Sequence, residues 1–253
     1  LAVIIFYAVV PQKFSVGDFS VKKIGLLQFK KHEFPLAKAR PTTSRRRVKN
    51  HKFLFIGDSM VEGLSRRMGD YAKENGHTIY TVIWYSSTTE KWAETQTLEH
   101  FVDEYKPTYI LLCLGSNELF VNDLDVRNEY IKTIVRKLSR YPFVWIGPAD
   151  WNGDTGIIDL IASNAGKGHF FDSRNLNLQR GSDHYHPTWK AAAAWMDKVA
   201  AYMRGGTVAC PVRMELPKGH HKATHTELLA PAFEGYRYLC LTFSRYSAPL
   251  LPF

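Results

Sequence analysis

Between Phe53 and Met203 the chain alternates short apolar runs, rich in β-branched and aromatic residues, with longer amphipathic stretches. This alternation restricts the fold more than any other feature, because strands separated by helical segments pair in parallel and bury both faces of the sheet under helices. Five strands are expected: Phe53 to Ile56, Thr78 to Trp84, Tyr109 to Leu114, Phe143 to Ile146 and His169 to Phe171. Each runs into a cluster of Gly, Ser, Asp or Asn. Helices are expected over Val61 to Asn75, Lys91 to Tyr105, Val126 to Arg140 and Pro187 to Met203, the last begun by a proline suited to a first turn. In such sheets ligands bind beyond the carboxyl ends of the strands, which is where chemistry-bearing residues are to be sought.

The flanks differ from this body. With 253 residues, 45% of them hydrophobic, the chain can bury one ordinary α/β core and still carry extensions. The expected division is an N-terminal extension over 1–52, a central domain over 53–204 and a C-terminal tail over 205–253 whose role the pattern does not give. The net charge of +9 is unevenly placed: residues 1–52 hold 12 basic against 2 acidic side chains, 53–204 hold 16 against 19, and the tail holds 5 against 3. The basic excess therefore belongs to an arm containing Arg45-Arg46-Arg47, which reads as a solvated linker within Ala39 to Asn50. Nucleic-acid binding is not expected.

Around Gly17-Asp18, the segments Lys13 to Val16 and Phe19 to Ile24 alternate as a hairpin does. The run Leu1 to Val10 is apolar but shorter than the roughly 20 residues that span a bilayer. It reads either as a buried first strand or as the end of a signal-peptide core or anchor helix lying upstream, which would place the body in the periplasm or outside the cell. The three cysteines, Cys113, Cys210 and Cys240, show neither a disulfide framework nor zinc spacing. His220, His221 and His225 with Cys210 match no common metal site, so the tail is expected to be disordered or an irregular strap. Oligomeric state is not legible in the sequence.

Three strand ends carry groups suited to acyl chemistry. Ser59, in Gly57-Asp58-Ser59, precedes a helix whose backbone N–H groups favour a developing oxyanion. Ser59-Met60-Val61-Glu62 also fits a capping box, as does Ser87-Thr88-Thr89-Glu90, and by spacing alone the cap is the simpler reading of each. Asn117, in Gly115-Ser116-Asn117-Glu118, offers an amide to an oxyanion or serves as a turn residue. His186 follows the last strand with Asp183 three residues before it, a spacing that lets a tight loop orient one ring nitrogen and leave the other as a base. Otherwise Asp183 caps a turn, and His184-Tyr185-His186 is an H-x-H pair without an evident third ligand. Asp58 and Glu118 read as loop-shaping residues.

On these residues the chain resembles the SGNH hydrolases, also called the GDSL esterase and lipase family. Gly57-Asp58-Ser59, Gly115-Ser116-Asn117 and Asp183 to His186 match three of its four signature blocks in order, over roughly residues 52–204. The resemblance implies a flavodoxin-like three-layer α/β/α sandwich with a five-stranded parallel sheet and Ser59 as nucleophile. It further implies His186 as base, Asp183 as its orienter, and an oxyanion hole built from Ser59 N–H and Asn117. No metal and no cofactor are implied. Two positions depart from the family pattern: Glu118 stands where Asp is usual. Ser87 aligns with the glycine whose N–H completes the oxyanion hole, within Trp84-Tyr85-Ser86-Ser87-Thr88-Thr89.

The reading that follows is ester hydrolysis through an acyl-serine intermediate, falling off below about pH 6 because a histidine base must be neutral. Trp84, Tyr85, Trp92, Trp151 and Tyr185 fall near the strand-end loops, either in the core or as surfaces for sugar rings. The expected substrate is a small-molecule or carbohydrate ester, an O-acetyl group above all. Alternatives are an O-acyltransferase with the same residues, a non-catalytic carbohydrate-binding module, and a nucleotide-binding flavodoxin-like protein, the last disfavoured by the lack of any phosphate-binding glycine pattern.

Overall fold

The structure, a computed structural model, describes residues 15–16, 19–20, 50–221 and 225–237. The expectations for Leu1 to Val10, for most of the linker and for Cys240 lie outside the described residues. Two compact units divide the chain, 1–46 and 47–253. In the first, β1 (Ser15–Val16) and β2 (Phe19–Ser20) pair antiparallel, Ser15 with Ser20 and Val16 with Phe19, within the hairpin anticipated there.

The second unit holds a parallel sheet of β3 (Lys52–Gly57), β4 (Thr78–Trp84), β5 (Tyr109–Cys113), β6 (Phe143–Ile146), β7 (Phe170–Phe171) and β8 (Thr226–Leu229). Its order is β7-β6-β5-β3-β4-β8. Strands β3 to β7 thus have the flavodoxin-like arrangement, and the order reverses between β3 and β5. The helices are α1 (Met60–Asn75), α2 (Thr89–Glu94), α3 (Thr97–Tyr105), α4 (Leu124–Leu138), α5 (Ile157–Ala165) and α6 (Trp189–Arg204). Alternation along β3 assigns the layers, since successive side chains point to opposite faces. Phe53 and Phe55 pack with Val61, Leu64 and Met68 of α1 and Trp195, Met196 and Val199 of α6. Leu54 and Ile56 pack with Trp92, Phe101, Ile131, Ile134 and Ile157 of α2 to α5. The second unit is therefore a three-layer α/β/α sandwich.

Four differences from the sequence expectation have local causes. The single helix over Lys91 to Tyr105 is two, because Thr95 Oγ1 donates to Lys91 O at 2.7 Å and sits 2.8 Å from Thr97 Oγ1, hydroxyl bonds that compete with the helix ladder. Pro187 does not begin α6: it bridges Arg180, and Thr188 caps the helix by accepting from Ala191 N at 3.3 Å. Helix α5 was not anticipated in a stretch broken by Gly153, Gly156 and Gly166.

The fourth difference is the sixth strand. β8 comes from the tail and extends the sheet beside β4, pairing Thr81 with Thr226 and Trp84 with Leu229. Upstream of it, Val208, Val212 and Met214 are buried in the α1–α6 layer, while Phe233 and Tyr236 pack on the other. Described parts of the tail thus complete the core, although no sustained periodicity announced it. Ending the chain after Arg204 is expected to lower unfolding free energy by about 5 kcal/mol or more, given roughly 1.5–3 kcal/mol for each buried aliphatic side chain. Urea unfolding of the truncated and full chains measures it, and equal midpoints would contradict this account of the tail.

Candidate active site

The strand-to-helix turn after β3 is pressed against the end of β5. Gly57 has φ 150°, and a Cβ there would lie 1.7 Å from Cys113 O, so no other residue fits this turn without moving backbone. Asp58 N donates to that same carbonyl at 3.0 Å. The Asp58 carboxylate, fully buried, accepts from Met60 N at 3.0 Å and from Ser116 N at 3.2 Å, tying the turn after β3 to the turn after β5. Burial pushes its pKa up to about 6 against the pull of these N–H groups, with Glu118 adding to the rise. Asp58, not Ser59, thus meets the helix start. The Ser59 hydroxyl makes no capping bond, and Glu62, the other half of the supposed capping box, accepts from Tyr85 OH at 3.0 Å.

The Ser59 hydroxyl is turned to His186, whose Nε2 lies 2.8 Å from Ser59 Oγ. On the other side of the ring, Nδ1 is 2.7 Å from Asp183 Oδ2. Asp183 Oδ1 accepts the backbone N–H groups of Tyr185 at 2.9 Å and His186 at 3.0 Å, which fixes the carboxylate relative to the ring it faces. The His186 hydrogen bond, helped by those N–H groups, holds the Asp183 pKa down to about 2. Asp183 therefore does close its turn, and does so with one oxygen while the other meets the imidazole. His184 has φ 64° in the turn, and among the described residues no group of three or more His, Cys, Asp or Glu side chains is arranged to hold a metal ion.

Asn117 lies beyond β5 in a short helical turn, Ser116–Glu118, entered through Gly115 at φ 117°. A Cβ on Gly115 would lie 2.9 Å from Ile161 and 3.0 Å from Pro148, so glycine is required for space as well as for φ. Asn117 Nδ2 donates to Ser87 O at 2.9 Å, which orients the exposed amide and leaves its second hydrogen free to point outward. Glu118 shapes the loop: its buried carboxylate accepts from Thr89 N and Thr89 Oγ1, each at 2.7 Å, and faces Arg127 at 3.3 Å.

Ser87 is a correction. Its N–H donates to Trp84 O at 3.1 Å, closing a turn, and its hydroxyl accepts from Trp92 Nε1 at 3.0 Å. It is fully buried, so its N–H is not available to an oxyanion, and it is not the helix cap, since Thr88 accepts from Lys91 N instead. Its neighbour Ser86 was overlooked. Ser86 is exposed, has φ 55°, and like Ser59 its N–H donates to no acceptor among the described residues. A left-handed conformation is costly for a side chain other than glycine, which makes the position notable. The signal in the sequence was the missing glycine in Trp84-Tyr85-Ser86-Ser87-Thr88-Thr89, and two adjacent serines do not show which of them takes the positive φ.

Of the aromatic residues near these loops, Trp84 and Trp92 are core. Trp151 stands at the edge of both layers and is met edge-on by two exposed rings, Tyr185 at 6.1 Å and Phe120 at 5.9 Å between centroids. Phe120, three residues after Asn117, was not singled out from sequence because an isolated apolar residue in a loop carries no pattern.

The buried carboxylate has a measurable signature. Because the folded pKa of Asp58 is raised, its contribution to stability is present below about pH 4 and is lost as pH rises through about 6. The unfolding free energy of Asp58→Asn relative to wild type is therefore expected to rise by on the order of 2–3 kcal/mol from pH 4 to pH 7. Urea titrations at both pH values check this, and a constant difference would remove the titration of Asp58.

No family model matches the sequence, and no curated protein matches it. Among solved structures, the chain is similar to a protein described as lipolytic and of the G-D-S-L family, from Desulfitobacterium hafniense DCB-2. That likeness has 16% identity and a TM-score of 0.47, and covers 60% of this chain and 98% of the other. It is also similar to TesA, with 15% identity, a TM-score of 0.45 and coverage of 60% and 98%. A further likeness is to BT4096, a gut microbial diltiazem-metabolizing enzyme, at 10% identity and a TM-score of 0.30, covering 62% of this chain and 34% of that one. The chain itself resembles the SGNH hydrolases in its three sequence blocks, in its flavodoxin-like strand order and in the meeting of Ser59, His186 and Asp183 at one edge of the sheet.

Proposed function

We propose that this chain is a serine esterase in which Ser59 is the nucleophile, His186 the base and Asp183 the group that fixes the imidazole tautomer. The observation that carries the reading is the continuous hydrogen-bonded line from Asp183 Oδ2 through the His186 ring to Ser59 Oγ, with contacts of 2.7 and 2.8 Å. A serine serving only as a helix cap would turn its hydroxyl to the backbone, and this one does not. In the reaction, His186 Nε2 takes the Ser59 proton as Oγ attacks the ester carbonyl carbon. The tetrahedral oxyanion is held by the Ser59 N–H, the outward hydrogen of Asn117 and, in place of Ser87, the Ser86 N–H. His186 then gives its proton to the departing alcohol, and water activated by the same ring releases the acid and frees Ser59.

The substrate reading is removal of small O-acyl groups, acetyl above all, from carbohydrate. Its support is the rim: Phe120 and Tyr185, 49% and 57% exposed, stand nearly perpendicular to Trp151 on loops that also carry Asn117 and His186. Their faces offer flat apolar surface to a sugar ring, and the neighbouring Asp150, Asn152 and Asp154 offer acceptors for hydroxyls.

Hydrolysis of p-nitrophenyl acetate is expected to vanish in Ser59→Ala and to fall by on the order of 10²–10⁴ in kcat in Asp183→Asn, which would leave the imidazole in the wrong tautomer. Equal rates for wild type and Ser59→Ala would end the proposal. For the substrate class, Tyr185→Ala and Phe120→Ala are each expected to raise KM for an acetylated oligosaccharide by about fivefold, the size of one lost ring contact. Neither should change KM for p-nitrophenyl acetate by as much. Equal effects on both substrates, or a preference for long acyl chains over acetyl, would set the carbohydrate reading aside.

A further inference from the structure

The imidazole and the serine hydroxyl approach each other from unequal supports. Ser59 is held by the buried Asp58 turn and α1. His186 sits on a small antiparallel hairpin over residues 179–188, closed by Thr188 N to Gln179 O at 2.9 Å, Gly181 N to His186 O at 2.8 Å and His184 N to Gly181 O at 3.1 Å. Its tip is poorly packed: the side chains of Asp183 and His186 are 48% and 45% exposed, and Tyr185 is 57% exposed. Burial does little to hold such a tip in one place, yet misplacing a reacting group by about 1 Å can cost on the order of a hundredfold in rate.

One side chain spans the gap between tip and body. Arg180 Nη1 donates to Tyr185 O at 2.7 Å, and Nη2 donates to Ala149 O at 3.1 Å. Ala149 belongs to the loop after β6 and is 2% exposed, so its carbonyl is a fixed anchor. The guanidinium carbon also lies 5.4 Å from the centre of the Trp151 ring, which limits how the plane can tilt. Tyr185 lies between Asp183 and His186 in the chain, so the carbonyl that is gripped belongs to the backbone that aims the imidazole.

We propose that Arg180 is a positioning residue: its planar fork joins the His186 hairpin to the loop after β6 and so keeps the imidazole in register with Ser59. The proposal rests on the esterase reading above. It assigns no contact with substrate to Arg180. A planar fork satisfies both carbonyls at once, whereas an ammonium group on a flexible stem lacks that fixed geometry.

The test uses the full chain as wild type, Ser59→Ala, Arg180→Ala and Arg180→Lys, with kcat and KM for p-nitrophenyl acetate and a thermal melt for each. Arg180→Ala is expected to lose at least about tenfold in kcat, with KM held within about threefold. Millimolar ethylguanidinium should restore part of that loss and restore nothing to Ser59→Ala. Arg180→Lys should also lose kcat while melting near wild type, so it carries the test if the alanine variant does not fold. A kcat within twofold of wild type in either folded Arg180 variant overturns the proposal, as does a loss in Arg180→Ala that ethylguanidinium leaves untouched. If Ser59→Ala is fully active, the esterase reading fails and this inference with it. If Ser59→Ala is inactive while both Arg180 variants match wild type, only the inference fails.

Discussion

A single buried carboxylate holds the centre of the molecule together. Asp58 is fully buried, and two backbone N–H groups that follow different strands, those of Met60 and Ser116, point at its oxygens. Burying a charge or an unpaired amide is costly, so the three groups stabilise one another only while the turns after β3 and β5 stay together. That mutual requirement places the Ser59 turn beside the Asn117 turn at the point where the strand order reverses. It also relieves Ser59 of the capping duty that its sequence position would give it. Gly57 and Gly115 allow the approach, because any side chain at either would meet backbone or packed side chains.

The rest of the site is arranged around this rigid half. The Asn117 amide is aimed by Ser87 O, and Ser87 is itself fixed by Trp84 and Trp92 of the core. His186 stands on a hairpin with little burial of its own, where hydrogen bonds inside the tip and the Arg180 contacts to Tyr185 O and Ala149 O meet. A carboxylate that is half-exposed can still be held well below the usual range when an imidazole and two N–H groups converge on it, as at Asp183. Two acids near the same strand ends thus differ in opposite senses: burial makes Asp58 resist ionisation, while hydrogen bonds favour the ionised form of Asp183.

Much of this was legible before any coordinates. Strands β3, β4 and β6 were placed to within a residue, because runs buried on both faces are largely apolar and end in turn residues. Ser59, Asn117, Asp183 and His186 stood out by residue type and by position after strands. Less visible were elements whose identity depends on partners. β8 is a four-residue strand, Thr-Glu-Leu-Leu, with no context of its own until β4 offers an edge. The division of α2 from α3 depended on two threonine hydroxyls, and that Ser86 and not Ser87 takes the positive φ cannot be read from two adjacent serines.

The sequence by itself determined the layering and the order of the chemistry along the chain, since hydrophobic period and turn residues act over a few neighbours. Tertiary structure alone decided which of each residue's alternatives was realised. Whether Ser59 caps a helix or faces an imidazole is settled by a group 127 positions away, and Asp183, which closes its own turn, meets through that imidazole a hydroxyl from the other end of the domain. The physical reason is that a hydroxyl or carboxylate accepts whichever partner is nearest and least solvated, and only the completed fold sets those distances.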